Sequence, residues 1–297
     1  MICVQLSGGL GNQMFQYACG RALAFKHQTK LLFDSSQLLS KKSGSGITNR
    51  SFELGIFNIN AMEAKKEDIK KLKPLPHRIA NVLFLRTGFQ GIQSSKYFVE
   101  NKYSYNNNIE KIGKNCFLAG YWQSEQYFQN IRSIIKDEFR FKPFSDAKNI
   151  QWQNKIENEN SVSLHIRRSD FVNNKFHDIH GTCSIEYYLK AAGYISANTT
   201  NPFFFVFSDD IEWARKNLNL SGECEYISGN SGENSYMDMQ LMSMCKHNII
   251  ANSSFSWWGA WLNQNPEKII ISPKQWFIPK VLNDKTVDLI PGTWLRF

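Results

Sequence analysis

The stretch Ile-Cys-Val-Gln-Leu-Ser-Gly-Gly-Leu-Gly-Asn-Gln at residues 2–13 decides the fold of this 297-residue chain. Residues 2–6 predict a strand. A glycine-rich turn at 7–13 then leads into a predicted helix over 13–26, where apolar side chains recur at spacings of three and four. Residues 30–33 predict a second strand. A strand, a turn, a helix and a strand in this order are typical of a doubly wound α/β sheet.

A second series of strands and helices begins after a polar stretch at residues 142–160. We place the domain boundary there, with domains over 1–150 and 151–297, since about 150 residues is an ordinary domain length. Further strands are predicted at 115–119, 161–167, 203–207, 248–251 and 268–272, helices at 64–72, 124–139, 184–197, 212–218, 236–246 and 257–264, and a flexible loop at 40–49. The sequence therefore predicts an α/β protein with two Rossmann-like domains that face each other across a cleft.

Composition excludes several classes of protein. Hydrophobic residues make up 42% of the chain and aromatic residues 14%, so the chain as a whole is not disordered. No apolar run approaches the ~20 residues that span a bilayer, and residues 1–10 lack the features of a secretory signal. The net charge of +9 indicates an anionic partner. The lysine-rich residues 65–73 predict a solvated helix face, with docking on an anionic membrane as the alternative.

The cysteines indicate the cellular compartment. None of them has the C-x-x-C spacing of a metal or redox motif. Six thiols in a chain of this length do not form a disulfide framework. We therefore expect reduced and mostly buried thiols in a cytoplasmic protein.

Ligands of open α/β sheets lie beyond the carboxyl ends of the strands, so polar residues at those ends are candidates for a site. In the turn at 7–13, Gly9 and Gly11 let the backbone approach an anion, and the helix start offers N–H donors. The pattern partly fits a dinucleotide-binding loop, with Asp34 about twenty residues further on, but Met14 stands where the third glycine would be. A turn that simply needs glycine is the alternative.

The second candidate is His165-Ile166-Arg167-Arg168-Ser169-Asp170 at the end of a predicted strand. Two adjacent guanidinium groups are costly to bury without an anion, and their planar forks pair bidentately with phosphate. Because strand alternation sends them to opposite sides, we expect one to bind phosphate and Asp170 to hold the other. A surface ion-pair network is the alternative.

Acidic residues follow the apolar strand at 203–207 and begin the predicted helix at 236–246. Ser208-Asp209-Asp210 is either an acid pair for a metal ion or the cap of the next helix, and we favour the cap combined with a ligand contact. Asp238 is a candidate either to cap its helix or to accept hydrogen bonds from a guanine edge.

The last candidate is the segment Asn252-Ser253-Ser254-Phe255. Its hydroxyls and the N–H groups of the helix start can hold a diphosphate, and Phe255 can lie against a sugar or a base. The tryptophans that follow, at 257, 258 and 261, have helical spacing and are predicted core residues.

Four blocks of the sequence, taken together, resemble glycosyltransferase family 11, the α-1,2-fucosyltransferases, and in particular its bacterial members. The blocks are GGLGNQMFQYA at 8–18, His165-x-Arg167-Arg168-x-Asp170, FSDD at 207–210 and IIANSSFSWWGAWL at 249–262. Residues 120–124 and 186–188 also resemble the family, whereas 35–110 carry little of the likeness. Each block alone is weak, but the set spans nearly the whole chain in the family's order.

The resemblance implies a GT-B architecture and a GDP-β-L-fucose donor. It implies inversion to an α-1,2 linkage on a terminal galactose, with no metal or other cofactor required and no nucleic acid as partner. It also implies a bacterial enzyme that builds O-antigen or capsule glycans at the cytoplasmic face of the inner membrane. Peripheral contact with that membrane, the oligomeric state and the preferred acceptor stay open. A dinucleotide-dependent oxidoreductase, a fucosyltransferase of different linkage and a non-catalytic binding protein are the alternatives.

The resemblance also implies roles for individual residues. Arg167 or Arg168, with the helix N–H donors at 253–255, would stabilise the charge that develops on the β-phosphate. Asn12 would reach the diphosphate or the fucose from the opposite domain, and Asp170 would be the first candidate for the general base. The other implied donor-binding residues are Gly9, Gly11, Gln13, His165, Ser208, Asp209, Asp210, Asp238, Asn252, Ser253, Ser254 and Phe255. On the acceptor side, Tyr121 and Trp122 would be stacking platforms. His177 and His180, with Asp178, lie in a polar loop and are the second candidates for the base.

Overall fold

The computed structural model describes residues 1–38, 50–73, 96–100, 103–168 and 177–297. They form two compact units, Met1–Arg140 with Val287–Leu289, and Phe141–Thr286 with Ile290–Phe297. The division lies at Arg140, earlier than the predicted boundary at 150. The reason is that the helix Ala147–Asn158 packs on the helix Tyr236–Met244 and so belongs to the second unit. The loop predicted at 40–49 lies outside the described residues.

In the described part of the first unit, five strands form one parallel sheet in the order β3-β2-β1-β5-β4. The strands are β1 (Ile2–Gln5), β2 (Leu31–Asp34), β3 (Met62–Glu63), β4 (Tyr97–Val99) and β5 (Cys116–Ala119). In the centre of the sheet, Cys3 lies opposite Leu32 on one side and Phe117 on the other, and all three are buried. The strands predicted at 2–6, 30–33 and 115–119 are confirmed.

The helices of the first unit are α1 (Leu10–Lys26), α2 (Lys66–Leu72) and α3 (Arg132–Glu138). A single helix over 124–139 was predicted and is wrong: the 3₁₀ turns Glu125–Tyr127 and Gln129–Ile131 precede α3. Packing explains the difference. The rings of Tyr127 and Phe128 are buried against Trp122 and Phe15, and this holds the segment in short turns.

In the second unit, six described strands form a parallel sheet in the order β11-β10-β9-β6-β7-β8. They are β6 (Asn160–Ile166), β7 (Pro202–Ser208), β8 (Cys224–Tyr226), β9 (His247–Ile249), β10 (Ile270–Ser272) and β11 (Leu295–Arg296). Read from β8, this is the 3-2-1-4-5-6 order of the doubly wound fold, and it reverses between β6 and β9. A crevice for ligands is expected at that reversal.

Helices cover both faces of the second sheet. They are α4 (Ala147–Asn158), α5 (His177–His180), α6 (Ile185–Asn198), α7 (Ile211–Asn217), α8 (Tyr236–Met244), α9 (Ser254–Leu262) and α10 (Lys280–Asn283). The apolar side chains of β6 pack on α6, and those of β7 pack partly towards α4 and α8. The three tryptophans of α9 are buried and contact one another, as predicted from their spacing.

Each unit is thus a parallel sheet with helices packed on it, and the predicted α/β class with Rossmann-like domains is confirmed. All six cysteines are free thiols, and four of them are buried. Among the residues that the structure describes, no helix has both the length and the apolar character needed to cross a bilayer.

Gly20 marks a close approach between α1 and the first sheet, because a Cβ at this position would lie 2.9 Å from Leu31 Cδ1 and 3.3 Å from Val4 Cβ. We expect Gly20→Ala to lower the free energy of unfolding by about 1–3 kcal/mol, since overpacking outweighs the gain in helix propensity. Gly193→Ala in α6 is the control, where a Cβ meets no atom within 4 Å. It should raise that free energy by roughly 0.5–1 kcal/mol. Urea unfolding followed by tryptophan fluorescence measures both variants, and effects of the same sign would contradict the close packing.

Candidate active site

The reversal of strand order in the second unit brings two strand ends together. β6 ends at Ile166 and is followed by Arg167 and Arg168, while the chain after β9 runs into the first turn of α9. The N-cap of α9 is Ser253, whose Oγ accepts a hydrogen bond from Phe255 N at 3.3 Å. A helix start leaves N–H groups outside the helical ladder, and α9 follows β9, the strand that pairs with β6. This edge of the sheet is therefore a favourable place for an anion.

Two carboxylates at the end of β7 hold the arginines. Arg167 Nε lies 3.2 Å from Asp209 Oδ2, and Arg168 Nε lies 3.5 Å from Asp210 Oδ2. Arg168 also donates its backbone N–H to Asp209 Oδ1 at 2.8 Å and stacks its guanidinium on the Trp213 ring at 3.6 Å. The side chains of Arg167 and Arg168 are only 23% and 18% exposed, so both are fixed in place and do not extend into solvent.

These contacts change the role expected for the acids. The sequence assigned Asp170 as the partner of one arginine, and Asp170 lies outside the described residues. Asp210 Oδ1 accepts from Trp213 N at 3.3 Å, which is the predicted cap of α7, and Ser208 Oγ accepts from Asp210 N. Asp209 and Asp210 therefore orient the arginines. In the described ranges, no three or more His, Cys, Asp or Glu side chains group so that they could hold a metal ion.

His165 lies beside this ion-pair cluster and is 4% exposed. Burial lowers the pKa of His165 to about 3; the carboxylate of Asp209 opposes this effect and the charge of Arg167 adds to it. The imidazole is therefore neutral near pH 7. Its ring centroid lies 5.8 Å from that of Phe255 at the start of α9, and its Nδ1 has no hydrogen-bond partner among the described residues. A buried ring nitrogen without a partner is suited to contact a ligand.

The structure corrects the role expected for Asn252. Its side chain is buried, and its Nδ2 donates to the carbonyl oxygens of His180 at 2.8 Å, Gly181 at 3.2 Å and Trp276 at 3.2 Å. These hydrogen bonds fix the loop after α5. The amide of Asn252 is therefore not available to a ligand, and the prediction that it binds the donor is wrong. The His180 ring packs on Phe277, and burial lowers the pKa of His180. Nothing is described for the side chain of His177.

Asp238 lies in the first turn of α8, within a cluster of amides. Its Oδ1 accepts from Asn230 Nδ2 at 2.8 Å, and Asn230 exchanges two hydrogen bonds with Asn149. Burial raises the pKa of Asp238 to about 7, against the opposing effects of Asn230 and the charge of Lys148. The contact with a guanine edge stays a prediction.

In the first unit the strand order reverses between β1 and β5, and this brings two sequence motifs together. Gln123 Nε2 donates to Asn12 Oδ1 at 2.8 Å, and Gln16 Nε2 donates to Gly120 O at 3.1 Å. Gly8 has φ of +74°, and a Cβ there would lie 2.4 Å from Asn12 Nδ2, so this turn requires glycine. Asn12 thus lies at the carboxyl edge of the first sheet, and its contact with a ligand stays a prediction.

The start of α1 already has partners from its own unit. Gln13 is fully buried, donates to Gly8 O and Ser51 O, and accepts from Glu53 N. Its side chain therefore holds the turn, and the prediction that it reaches a ligand is wrong. Glu53 Oε2 accepts from Leu10 N at 3.0 Å. A carboxylate therefore occupies the place where a dinucleotide-binding loop would hold a pyrophosphate. Gly9 and Gly11 lie in this turn and the first turn of α1.

The two aromatic residues predicted to face the acceptor differ in burial. Trp122 is fully buried, has φ of +56° and packs on Phe98 and Tyr127, so it belongs to the core and the expectation of a stacking platform is wrong for it. Tyr121 is 38% exposed. It is the member of this pair that can contact a ligand.

Sequence reasoning missed Glu100. It follows β4 directly, and its carboxylate accepts from Tyr121 N and Trp122 N. The available signal was an acid immediately after the apolar run Tyr97–Val99, but the segment around it was left unassigned. Glu100 lies at the same carboxyl edge as Tyr121.

Comparison with known protein families identifies the class to which the chain belongs. The family model described as Glycosyl transferase family 11 matches residues 1–287. The chain therefore belongs to glycosyltransferase family 11, and the predicted resemblance is confirmed. The family match favours a glycosyltransferase over the two alternative predictions, an oxidoreductase and a non-catalytic binding protein.

Similar proteins include two from Escherichia coli. The chain is 37% identical to an alpha-1,2-colitosyltransferase, over 100% of this chain and 98% of that protein. It is also 37% identical to the O-antigen biosynthesis glycosyltransferase WbnK, over 95% of this chain and 97% of that protein. Identity to the galactoside alpha-(1,2)-fucosyltransferase 2 of Bos taurus is 27%, over 57% of this chain and 55% of that protein. Among solved structures, the fucosyltransferase NodZ from Bradyrhizobium matches with a TM-score of 0.49 and 12% identity. The match covers 87% of this chain and 90% of that protein, and the likeness is weak.

The raised pKa of Asp238 makes stability depend on pH. Its unfolded value is about 3.9, so the protonated carboxyl favours the folded state, and this contribution is lost as pH rises from about 4 through 7. Asp238→Asn keeps an oxygen for Asn230 without the charge. The advantage of this variant over the wild type in free energy of unfolding should grow between pH 5 and pH 8, by on the order of 1–3 kcal/mol. Urea unfolding without nucleotide measures it, with Asp284→Asn at an exposed position as control. An advantage that is the same at both pH values would contradict this account.

Proposed function

We propose that this chain is an inverting galactoside α-1,2-fucosyltransferase, which transfers L-fucose from GDP-β-L-fucose to the 2-hydroxyl of a terminal galactose. Membership of glycosyltransferase family 11 supports glycosyl transfer. Relatives named as alpha-1,2-colitosyltransferase and galactoside alpha-(1,2)-fucosyltransferase support the linkage. The relative named for O-antigen biosynthesis supports an acceptor of that kind, met at the cytoplasmic face of the inner membrane.

The observation that carries the proposal is the pair Arg167 and Arg168 at the end of β6, where the strand order of the second sheet reverses. When GDP leaves, negative charge develops on its β-phosphate. Fixed guanidinium groups and helix N–H donors stabilise that charge without having to reorganise. Each guanidinium is a planar fork with five N–H donors, a geometry that matches the oxygen atoms of a phosphate group. In this proposal the cations do what a divalent metal ion does elsewhere, so transfer needs no metal.

Other residues of the second unit complete the proposed donor site. His165 offers a neutral Nδ1 that has no partner in the described part of the chain, and we assign it to the guanosine portion of the donor. Ser253 and Ser254 lie with Phe255 at the partly exposed start of α9, and we assign them to the diphosphate. Asp238 is assigned to the guanine edge.

The acceptor is assigned to the first unit. Tyr121 offers an exposed ring, and sugar rings stack on aromatic faces through their apolar C–H groups. Asn12 lies at the same edge, bonded to Gln123. Amide groups of this kind hydrogen-bond to sugar hydroxyls in both directions.

A second candidate donor is GDP-activated colitose, which is L-fucose without its 3-hydroxyl. The identity of 37% to a colitosyltransferase over the whole chain favours this candidate. The two donors share the nucleotide and differ at one hydroxyl. A site that hydrogen-bonds this hydroxyl rejects the deoxy sugar strongly, whereas an apolar site discriminates weakly.

Incubation of the purified protein with GDP-fucose and lactose tests the proposal directly. We expect fucose on the galactose 2-hydroxyl with α configuration, identified by NMR of the product, and unchanged turnover after EDTA treatment. GDP-colitose in a parallel reaction tests the second donor. Calorimetry with GDP and NAD is the binding control, and binding of NAD without binding of GDP would contradict the proposal.

Arg167→Ala tests the role of the guanidinium groups. We expect kcat to fall by about 10²–10³-fold and GDP affinity to weaken, because the charge that stabilises the leaving diphosphate is lost. Stability should change by only about 1 kcal/mol or less, since the ion pair with Asp209 is partly exposed. The control is Arg215→Ala, a half-exposed arginine on α7 whose partner is Glu212. Turnover at the wild-type level in Arg167→Ala would remove the arginine from the mechanism.

A further inference from the structure

The carboxyl edge of the first sheet carries a carboxylate for which the proposed donor chemistry has no role. Glu100 follows β4, next to the end of β5, and its side chain is partly exposed. Its Oε2 accepts from Tyr121 N at 2.6 Å and from Trp122 N at 3.1 Å, while Oε1 accepts from Trp122 N at 3.0 Å. A carboxylate oxygen has two lone pairs, so Oε1 keeps capacity for one more donor.

Gly120 makes room for this carboxylate. A Cβ at position 120 would lie 2.3 Å from Glu100 Cβ and 2.8 Å from its Oε2, closer than real contacts allow. The turn that follows includes Trp122 in a left-handed conformation that non-glycine residues rarely adopt. A glycine without steric space to spare and a strained residue both serve to hold Glu100 beside exposed Tyr121. Such strain is concentrated at functional sites.

The groups around Glu100 do not neutralise it. The titratable side chains that face it are Tyr103, Tyr121, Tyr127 and, from α1, Cys19. The pKa of each is raised, mainly by burial, so all four are neutral near pH 7. Burial raises the pKa of Glu100 to about 7, against the opposing effect of the two backbone N–H donors. No cation pairs with it among the described residues. A general base works best with a pKa near the operating pH.

We propose that Glu100 is the general base of the transfer reaction, placed on the acceptor side by Gly120 and the backbone N–H groups of Tyr121 and Trp122. This rests on the proposed function. The acceptor hydroxyl oxygen forms a bond to the anomeric carbon of the donor sugar, and the bond from that carbon to the β-phosphate oxygen breaks with its electron pair staying on GDP. The hydroxyl proton passes to the Glu100 carboxylate, which releases it to solvent after the product leaves.

The experiment compares full-length wild type, Glu100→Gln and Glu100→Asp by initial rates between pH 5.5 and 9, with GDP-fucose or GDP-colitose as donor and lactose as acceptor. In the wild type we expect kcat/KM for lactose to fall as pH drops below about 7, because the protonated carboxyl cannot accept a proton. Glu100→Gln should lower kcat by about 10²–10⁴-fold, leave KM for lactose nearly unchanged and lose this acidic limb. Glu100→Asp should keep a limb at a shifted pH.

Controls separate chemistry from structure. GDP affinity, measured by calorimetry, should be unchanged in Glu100→Gln, since the donor is assigned to the other unit. Glu110→Gln removes a carboxylate that holds the Tyr105 hydroxyl and should match the wild type. Should Glu100→Gln fail to fold, the profile of Glu100→Asp decides: a shifted limb supports the base and an unshifted one overturns it.

The remaining outcomes are distinct. Three results for Glu100→Gln would overturn the role of Glu100 as base: an unchanged kcat, an effect on KM alone, or an acidic limb that persists in the pH profile. Each would mean that Glu100 only holds the turn in place. Failure of the wild type to transfer sugar from either donor would overturn the proposed function, and the role of Glu100 with it. Activity of the wild type is therefore the readout that tells the two failures apart.

Discussion

The pairing of two arginines with two aspartates at the ends of β6 and β7 is the interaction on which the candidate active site depends. Ile166 lies opposite Ser208 in the parallel register, so the next two residues of each strand continue side by side. Arg167 thereby meets Asp209, and Arg168 meets Asp210. Partly buried guanidinium groups without anions would be costly, and the acids offset part of that cost and set the direction of each fork.

This arrangement leaves two fixed guanidinium groups at the edge of the sheet, and their geometry is set before any ligand arrives. Trp213 stacks on Arg168, and the same helix that carries this ring is capped by Asp210. Because Asp210 both caps α7 and pairs with Arg168, it couples the position of this helix to the position of the arginine. Preorganisation of this kind is what allows fixed charges to stabilise a leaving diphosphate.

The first unit builds the same edge of its sheet from mostly neutral groups. Gln16, Asn12 and Gln123 link the turn after β1 to the turn after β5. Amides satisfy buried backbone carbonyls without bringing charge into the sheet. Glu100 is the exception, and its surroundings of tyrosines and a thiol supply no cation in the described part of the unit.

Predictions from the sequence succeeded where local chemistry decides the outcome. The apolar run of β7, the cap at Asp210 and the tryptophan spacing of α9 are local patterns, and each was recognised. They failed where a side chain is engaged by residues distant in the chain. The Asn252 amide donates to carbonyl oxygens that lie 72, 71 and 24 positions away in the chain. The turn around Trp122 places the ring of that residue in the core.

The sequence by itself determined the α/β class, the family and the residues at the strand ends, because hydrophobic periodicity and motif order are properties of the chain alone. Only the tertiary structure decided which of those residues contact one another. Strand register selected Asp209 and Asp210 as partners of the arginines, and the order of the first sheet brought Glu100 beside Tyr121. Such pairings depend on which strands become neighbours, and that is fixed by packing over distances that no local pattern encodes.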